Sequence, residues 1–270
     1  MKSNNMKNTL LEALKQAASI QISCFGKPQN EKAKESISSV VTEVDLKSEN
    51  KIIEIIRSDY PMHNILSEEC GFIDNKSEYT WIIDPIDGTS NYAAGIPWFG
   101  ILIAILHNGN PIIAGACLPF YNQYYFAEKG KGAFLNNEPF KIIDKKLSES
   151  LFAFSTDYSD EPGKVEKASE IFSFLIQHSR NIRCTNSLVD FLYVAEGKYG
   201  GCINMFTKIW DIAAPWLIVT EAGGNFKNID LSNIIFELRP EGLFKNYPVI
   251  SANNLVMDEI NNYPEMMANL

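Results

Sequence analysis

The stretch WIIDPIDGTSNY, residues 81–92, sets Asp84 and Asp87 three positions apart at the end of an apolar run. Two carboxylates held close and away from water repel each other and lose solvation. A cation between them removes both penalties, and hard cations such as Mg2+ take oxygen ligands. Pro85 begins a turn that swings Asp87 back toward Asp84. The carbonyl of Ile86 in so tight a turn is one more oxygen for a cation. Gly88 admits close backbone approach, and Thr89 opens a helix whose N–H groups suit a phosphate. Without a cation the same residues read as an Asx turn with Asp87 capping a helix, and the motif alone does not choose.

Other acids fall at comparable places. Glu68-Glu69 closes an apolar stretch, Asp211 lies in IWDIAAPW, and Asp45 ends VVTEVD. Each by itself reads as a solvated loop or a helix start. Pro215 supports a helix start near Asp211, because proline fits the first turn. Together Glu68, Asp84, Asp87 and Asp211 are enough for more than one Mg2+. The three histidines show no HxH or HExxH spacing, which argues against a histidine zinc site. Neither GxxxxGK[ST] nor GxGxxG occurs, so phosphate-loop nucleotide binding is not indicated.

The elements that must position these acids follow from periodicity. Residues 8–24 and 44–59 read as amphipathic helices, with Pro61 ending the second, and residues 1–5 as a frayed tail. ILSEE and WIID read as strands. FGILIAILH and PIIAGACL are apolar strands joined at Asn108-Gly109, and QYYFAEKGKGAFLNN continues the meander. LFAFST is a further strand. Residues 163–179 and 186–198 read as helices, DIAAPWLIVTEAGG as a helix ending at Gly223-Gly224, and YPVISANNLVMDEI as a last strand and helix. This order predicts an α+β chain of two subdomains, residues 1–150 with most of the acids and 151–270 with Asp211.

The chain has 270 residues, 46% of them apolar, and a net charge of −9, which fits a globular protein and argues against nucleic acid or an anionic membrane as partner. Five scattered cysteines without a CxxC pair point to a reducing cytoplasm. The N-terminal stretch has no uninterrupted apolar core of signal-peptide length, since Glu12 and Lys15 break it, and no run approaches the length of a membrane span.

WIIDPIDGTSNY resembles the first signature of the inositol monophosphatase family, DPxDGTxN, and WDIAAPWLIVTEAGG resembles the second, WDxAAGxxxxxEAGG. SEE, VVTEVD and PVISANN fit in order and spacing, so the resemblance spans about residues 8–260. It implies a layered αβαβα sandwich, often a homodimer, that hydrolyses phosphate monoesters with two or three Mg2+ per site. Glu68, Asp84, the carbonyl of Ile86, Asp87 and Asp211 would be metal ligands. Asp45 and Thr89 would orient or deprotonate the attacking water, with Glu68 beside them. Gly88 and Thr89 would hold the phosphate by their backbone. Lys34 and Glu69 match residues near the family's site.

The chain departs from the pattern at Pro215, where the family has glycine. It has Thr185-Asn186-Ser187 for a glycine-threonine-alanine run, and Asn204 for a glutamate seven residues before Asp211. Asn186, Ser187 and Asn204 still offer hydrogen bonds to a polyol or sugar. The resemblance therefore implies a small phosphorylated substrate, an inositol phosphate or related polyol or sugar phosphate. Fructose 1,6-bisphosphate, histidinol phosphate and 3'-phosphoadenosine 5'-phosphate are the alternatives, as is a non-catalytic metal-binding regulator.

Overall fold

Met6, Leu10, Ala13, Leu14, Ala17 and Ala18 recur at helical spacing and are buried along one stripe of helix α1 (Lys2–Cys24). The structure is a computed structural model that describes residues 2–27, 32–33, 40–158, 160–238 and 245–263. Helix α1 starts at Lys2, so the tail expected at residues 1–5 is helical from its second residue, and buried Met6 ties down the first turns. Strands β1 (Lys32–Ala33) and β2 (Val40–Val41) pair antiparallel, and Lys34 lies outside the described residues. Helix α2 (Glu43–Asp59) follows.

Next come β3 (Asn64–Ser67), β4 (Gly71–Ile73), β5 (Tyr79–Asp87), the short helix α3 (Thr89–Ala93), β6 (Gly100–His107) and β7 (Asn110–Leu118). Then β8 (Gln123–Glu128), β9 (Gly132–Leu135) and β10 (Glu138–Phe140) complete an eight-stranded sheet of order β10-β9-β8-β7-β6-β5-β3-β4. The β6–β7 hairpin turns at Asn108-Gly109, both at positive φ, as its Asn-Gly sequence predicts. Central strands buried on both faces read as continuous apolar runs, which is why FGILIAILH shows no alternation. On one face, Trp81, Ile83, Ile101, Ile103 and Ile105 form a core with Leu10, Leu14, Ile52 and Ile56 of α1 and α2. Gly115 of β7 lets α1 come close, since a Cβ there would fall 2.4 Å from Leu10 Cδ2.

The later elements are β11 (Leu151–Ser155), α4 (Pro162–His178), β12 (Asn181–Arg183), α5 (Val189–Ala195), β13 (Gly201–Asn204), α6 (Ile209–Glu221), β14 (Asn225–Asn228), β15 (Val249–Ala252) and α7 (Asn254–Asn261). Their strands form a mixed five-stranded sheet of order β12-β11-β13-β15-β14. The helix expected over 186–198 begins later, at Val189, because Asn186 adopts a left-handed φ of 51°. Pro215 lies inside α6 rather than in its first turn, and has no N–H to offer the carbonyl of Asp211 four residues back.

The chain is thus mixed α+β, with seven helices among the described residues, as expected. By its packing it divides into residues Met1–Pro139 with Trp210–Ile218, and Phe140–Ile209 with Val219–Leu270. This differs from a single boundary near residue 150. Helix α6 is apolar almost all round, and Trp210–Ile218, with Asp211, counts with the first unit. No helix among the described residues is long and apolar enough to cross a membrane.

Candidate metal centre

Residues three apart in a regular strand point to opposite faces. Asp84 and Asp87 escape this rule through a β-bulge. Asp84 pairs with Leu102 and Asp87 with Gly100, so three steps along β5 match two along β6. The extra residue returns both carboxylates to one face. The turn expected at Pro85 is therefore a bulge within a continuous strand, tolerated because proline has no N–H to give the ladder. Ile86 points away from the acids into an apolar cluster with Val44, Tyr92 and Phe99, against Ile20 and Cys24 of α1.

One carboxylate oxygen each from Asp84, Asp87 and Asp211 lies within 4.8 Å of the others. Asp84 and Asp87 are buried, and Asp211, in the first turn of α6, is half-buried. Neither Asp87 nor Asp211 is a helix cap: Gly88 takes the N-cap of α3, and Asp211 is the third residue of its helix. Glu68 stands outside that trio. The parallel pair β3–β5 sets Ser67 beside Ile83, and Glu68 N–H donates to the Ile83 carbonyl at 3.2 Å, so Glu68 is next in line beside Asp84. The donor set is all hard oxygen, the chemistry that Mg2+ takes.

Gly88 adopts φ 83°, a left-handed conformation that costs glycine little. Because Gly88 caps α3, the Thr89 hydroxyl is released from capping. It lies 2.8 Å from the Ile86 carbonyl and 3.1 Å from Asp45 Oδ1, both acceptors for its single proton. Asp45 is also a helix-start acid: its Oδ2 accepts from Thr42 N–H at 2.9 Å and Thr42 Oγ1 at 2.6 Å in a capping box. Burial pushes the Asp45 carboxyl up, against the hydrogen bonds from Thr42, and the charge of Glu69 adds to the rise.

Residues without a sequence signature support these acids. Buried Glu49, one turn after Asp45 on α2, accepts at Oε1 from Ser67 Oγ at 2.5 Å, Glu69 N–H at 3.1 Å and Cys70 N–H at 3.0 Å. It thereby holds the Ser67 side chain before Glu68 and the backbone after it. The i, i+4 spacing of Asp45 and Glu49 was the available signal, since two acids on one helix face repel unless each is satisfied.

Of the expected substrate residues, exposed Asn186 donates from Nδ2 to Asp157 Oδ1 at 2.8 Å. Ser187 is buried and its Oγ accepts from Val189 N–H at 3.4 Å. Asn204 ends β13, and its Oδ1 accepts from Phe206 N–H at 3.0 Å. All three belong to the second unit. Beneath this loop lies Asp190, which accepts from Ser155 Oγ at 2.9 Å and from Thr185 Oγ1. Burial raises its carboxyl to about 6 despite these bonds. Its folded pKa lies above its unfolded value, so the protonated form favours the fold. That contribution is full below about pH 4 and is lost as pH rises through about 6. Urea unfolding of wild type and Asp190→Asn should therefore show the difference in stability shifting in favour of wild type by ~2 kcal/mol from pH 7 to pH 4. A difference that does not change with pH would refute this.

Two helix-covered sheets and an acid trio, two from a bulged strand and one from α6, define the class, an α+β protein with an oxygen-donor centre. The chain belongs to the inositol monophosphatase family, whose sequence profile matches residues 2–263. Nus factor SuhB of Haemophilus influenzae is 34% identical over 234 residues, 85% of this chain and 87% of that one. A fructose-1,6-bisphosphatase/inositol-1-monophosphatase of Thermotoga maritima is 32% identical over 238 residues, 87% of this chain and 86% of that one. The solved structure of a Thermotoga maritima IMPase matches with a TM-score of 0.85 at 27% identity, covering 99% of this chain and 98% of that chain. A relative named as a Nus factor lends no support to the absence of a nucleic-acid partner expected from net charge.

Proposed function

We propose that this chain is a Mg2+-dependent phosphomonoesterase acting on a small polyol or sugar phosphate. The observation that carries the reading is the convergence of Asp84, Asp87 and Asp211 within 4.8 Å, in a family that includes phosphatases. Glu68, Asp84, the Ile86 carbonyl, Asp87 and Asp211 would hold two or three ions. The carbonyl oxygen has two lone pairs, so accepting from Thr89 leaves one for a cation. Bound there, Mg2+ supplies acidification of water and neutralisation of phosphoryl charge.

The chain's own part is positioning and proton movement. Thr89 Oγ1 accepts a proton from the attacking water while passing its own to Asp45 Oδ1. A carboxyl raised by burial is the better base for that step. The backbone of Gly88 and Thr89 holds the phosphate. Asn186, Ser187 and Asn204 are assigned to the ester's hydroxyl groups, and the working form is a cytoplasmic homodimer.

Phosphate release from a panel of inositol, sugar, histidinol and nucleotide phosphates, with Mg2+ and with EDTA, tests this. Release from a polyol or sugar ester is expected with Mg2+ and only background with EDTA. EDTA-insensitive release, or none from any ester, would overturn the reading. A second reading rests on the Haemophilus relative named as a Nus factor. A non-catalytic factor that keeps the centre would bind Mg2+ and release no phosphate.

A further inference from the structure

The bulge that brings Asp84 and Asp87 to one face is the least self-supporting part of β5. Pro85 gives no N–H to the ladder, and the extra residue takes backbone groups out of it. Without the extra residue β5 would run regularly, and the two carboxylates, three positions apart, would face opposite sides. Helix α1 supplies a restraint on the bulge. Gln21, fully buried, donates from Nε2 to the Pro85 carbonyl at 2.7 Å. The backbone carbonyl of the same residue accepts from the Tyr92 hydroxyl at 2.8 Å. Residue 21 thus holds the chain between the two acids, at Pro85, and again beyond them, at Tyr92. The last turns of α1 also reach this region, with Ile20 and Cys24 packed against the cluster that holds Ile86.

The amide has a cost. Gln21 Oε1 is buried and accepts no hydrogen bond. A leucine would fill similar space without a stranded acceptor, so what the glutamine adds is its donor to Pro85.

We propose that Gln21 is a positioning residue that locks the register of the bulge and so sets the spacing of the Asp84 and Asp87 carboxylates for a divalent cation. The proposal rests on the cation centre described under Proposed function. It is tested by isothermal titration calorimetry of Mg2+ into the full-length wild type and Gln21→Leu. Thermal unfolding in EDTA and the Mg2+ dependence of phosphate release accompany it.

The Mg2+ dissociation constant is expected to rise about tenfold in the variant. The melting temperature in EDTA stays near wild type, because losing one buried bond is offset by removing a stranded acceptor. Phosphate release recovers the wild-type kcat at saturating Mg2+. Gln21→Asn, whose amide falls one methylene short of Pro85, should raise the dissociation constant likewise, with a lower melting temperature because it keeps the stranded acceptor and adds a stranded donor, and it serves if the leucine variant does not fold. Equal Mg2+ affinity in wild type and variant overturns the role of Gln21 and leaves the centre standing. A wild type that binds no divalent cation overturns the centre and the proposal with it. Affinity that falls only in step with unfolding in EDTA makes Gln21 a stability residue and also overturns it.

Discussion

Asp87→Asn is expected to lower Mg2+-dependent phosphate release by at least about a thousandfold, equivalent to ~4 kcal/mol of transition-state stabilisation. The substitution keeps the shape of the side chain and removes its charge. Asp87 is one of three acids with oxygens inside 4.8 Å, so losing one charge weakens the field on the cation directly. The fold should not suffer. Three close carboxylates repel when no cation is bound, and neutralising one relieves that strain. The melting temperature in EDTA should therefore equal or exceed that of wild type, while the stabilisation by added Mg2+ disappears. Hydrolysis retained at the wild-type rate would refute Asp87 as a ligand.

Thr89→Ala should cost about a hundredfold to ten-thousandfold in kcat, the usual contribution of a positioned proton-transfer group. Its signature differs from that of Asp87. The hydroxyl touches Asp45 and the Ile86 carbonyl and carries no charge, so Mg2+ affinity should stay close to wild type. Stability should fall by ~1 kcal/mol, since buried Asp45 loses one donor and keeps the two from Thr42. Thr89→Ser restores a hydroxyl and should recover most of kcat. A Thr89→Ala enzyme with unchanged kcat, or a serine variant as slow as alanine, would remove the hydroxyl from the reaction.

The acids themselves were legible because charge is costly to bury. Asp84 and Asp87 after an apolar run, and Asp211 within another, mark candidate ligands, though each alone also reads as a turn or helix-start acid. The α+β order, the Asn108-Gly109 hairpin and α1 were legible for the same reason, since burial and turn strain act through local spacing. What brings the acids together was not legible. The bulge depends on the pairing of β5 with β6, and Asp84-Pro85-Ile86-Asp87 reads equally well as a turn. Thr89 looked like a helix opener, and only the left-handed Gly88 frees its hydroxyl. Gln21 and Glu49 act at sequence separations of 64 and about 20 residues, where no local period points. The late start of α5 turns on one left-handed asparagine, and the division of the chain turns on which unit α6 packs with.

That division has a consequence for how the chain matures. The first unit is discontinuous: Met1–Pro139 must wait for Trp210–Ile218, with all of Phe140–Ile209 made in between. On the ribosome the acid pair of β5 therefore emerges long before its third member. Nascent chains fold from the N-terminus, and contacts this distant in sequence close late. Until Trp210–Ile218 returns, the first unit carries two of its three clustered acids. A product truncated before Trp210 would carry the bulged strand and the signature sequence, yet lack the acid that completes the trio.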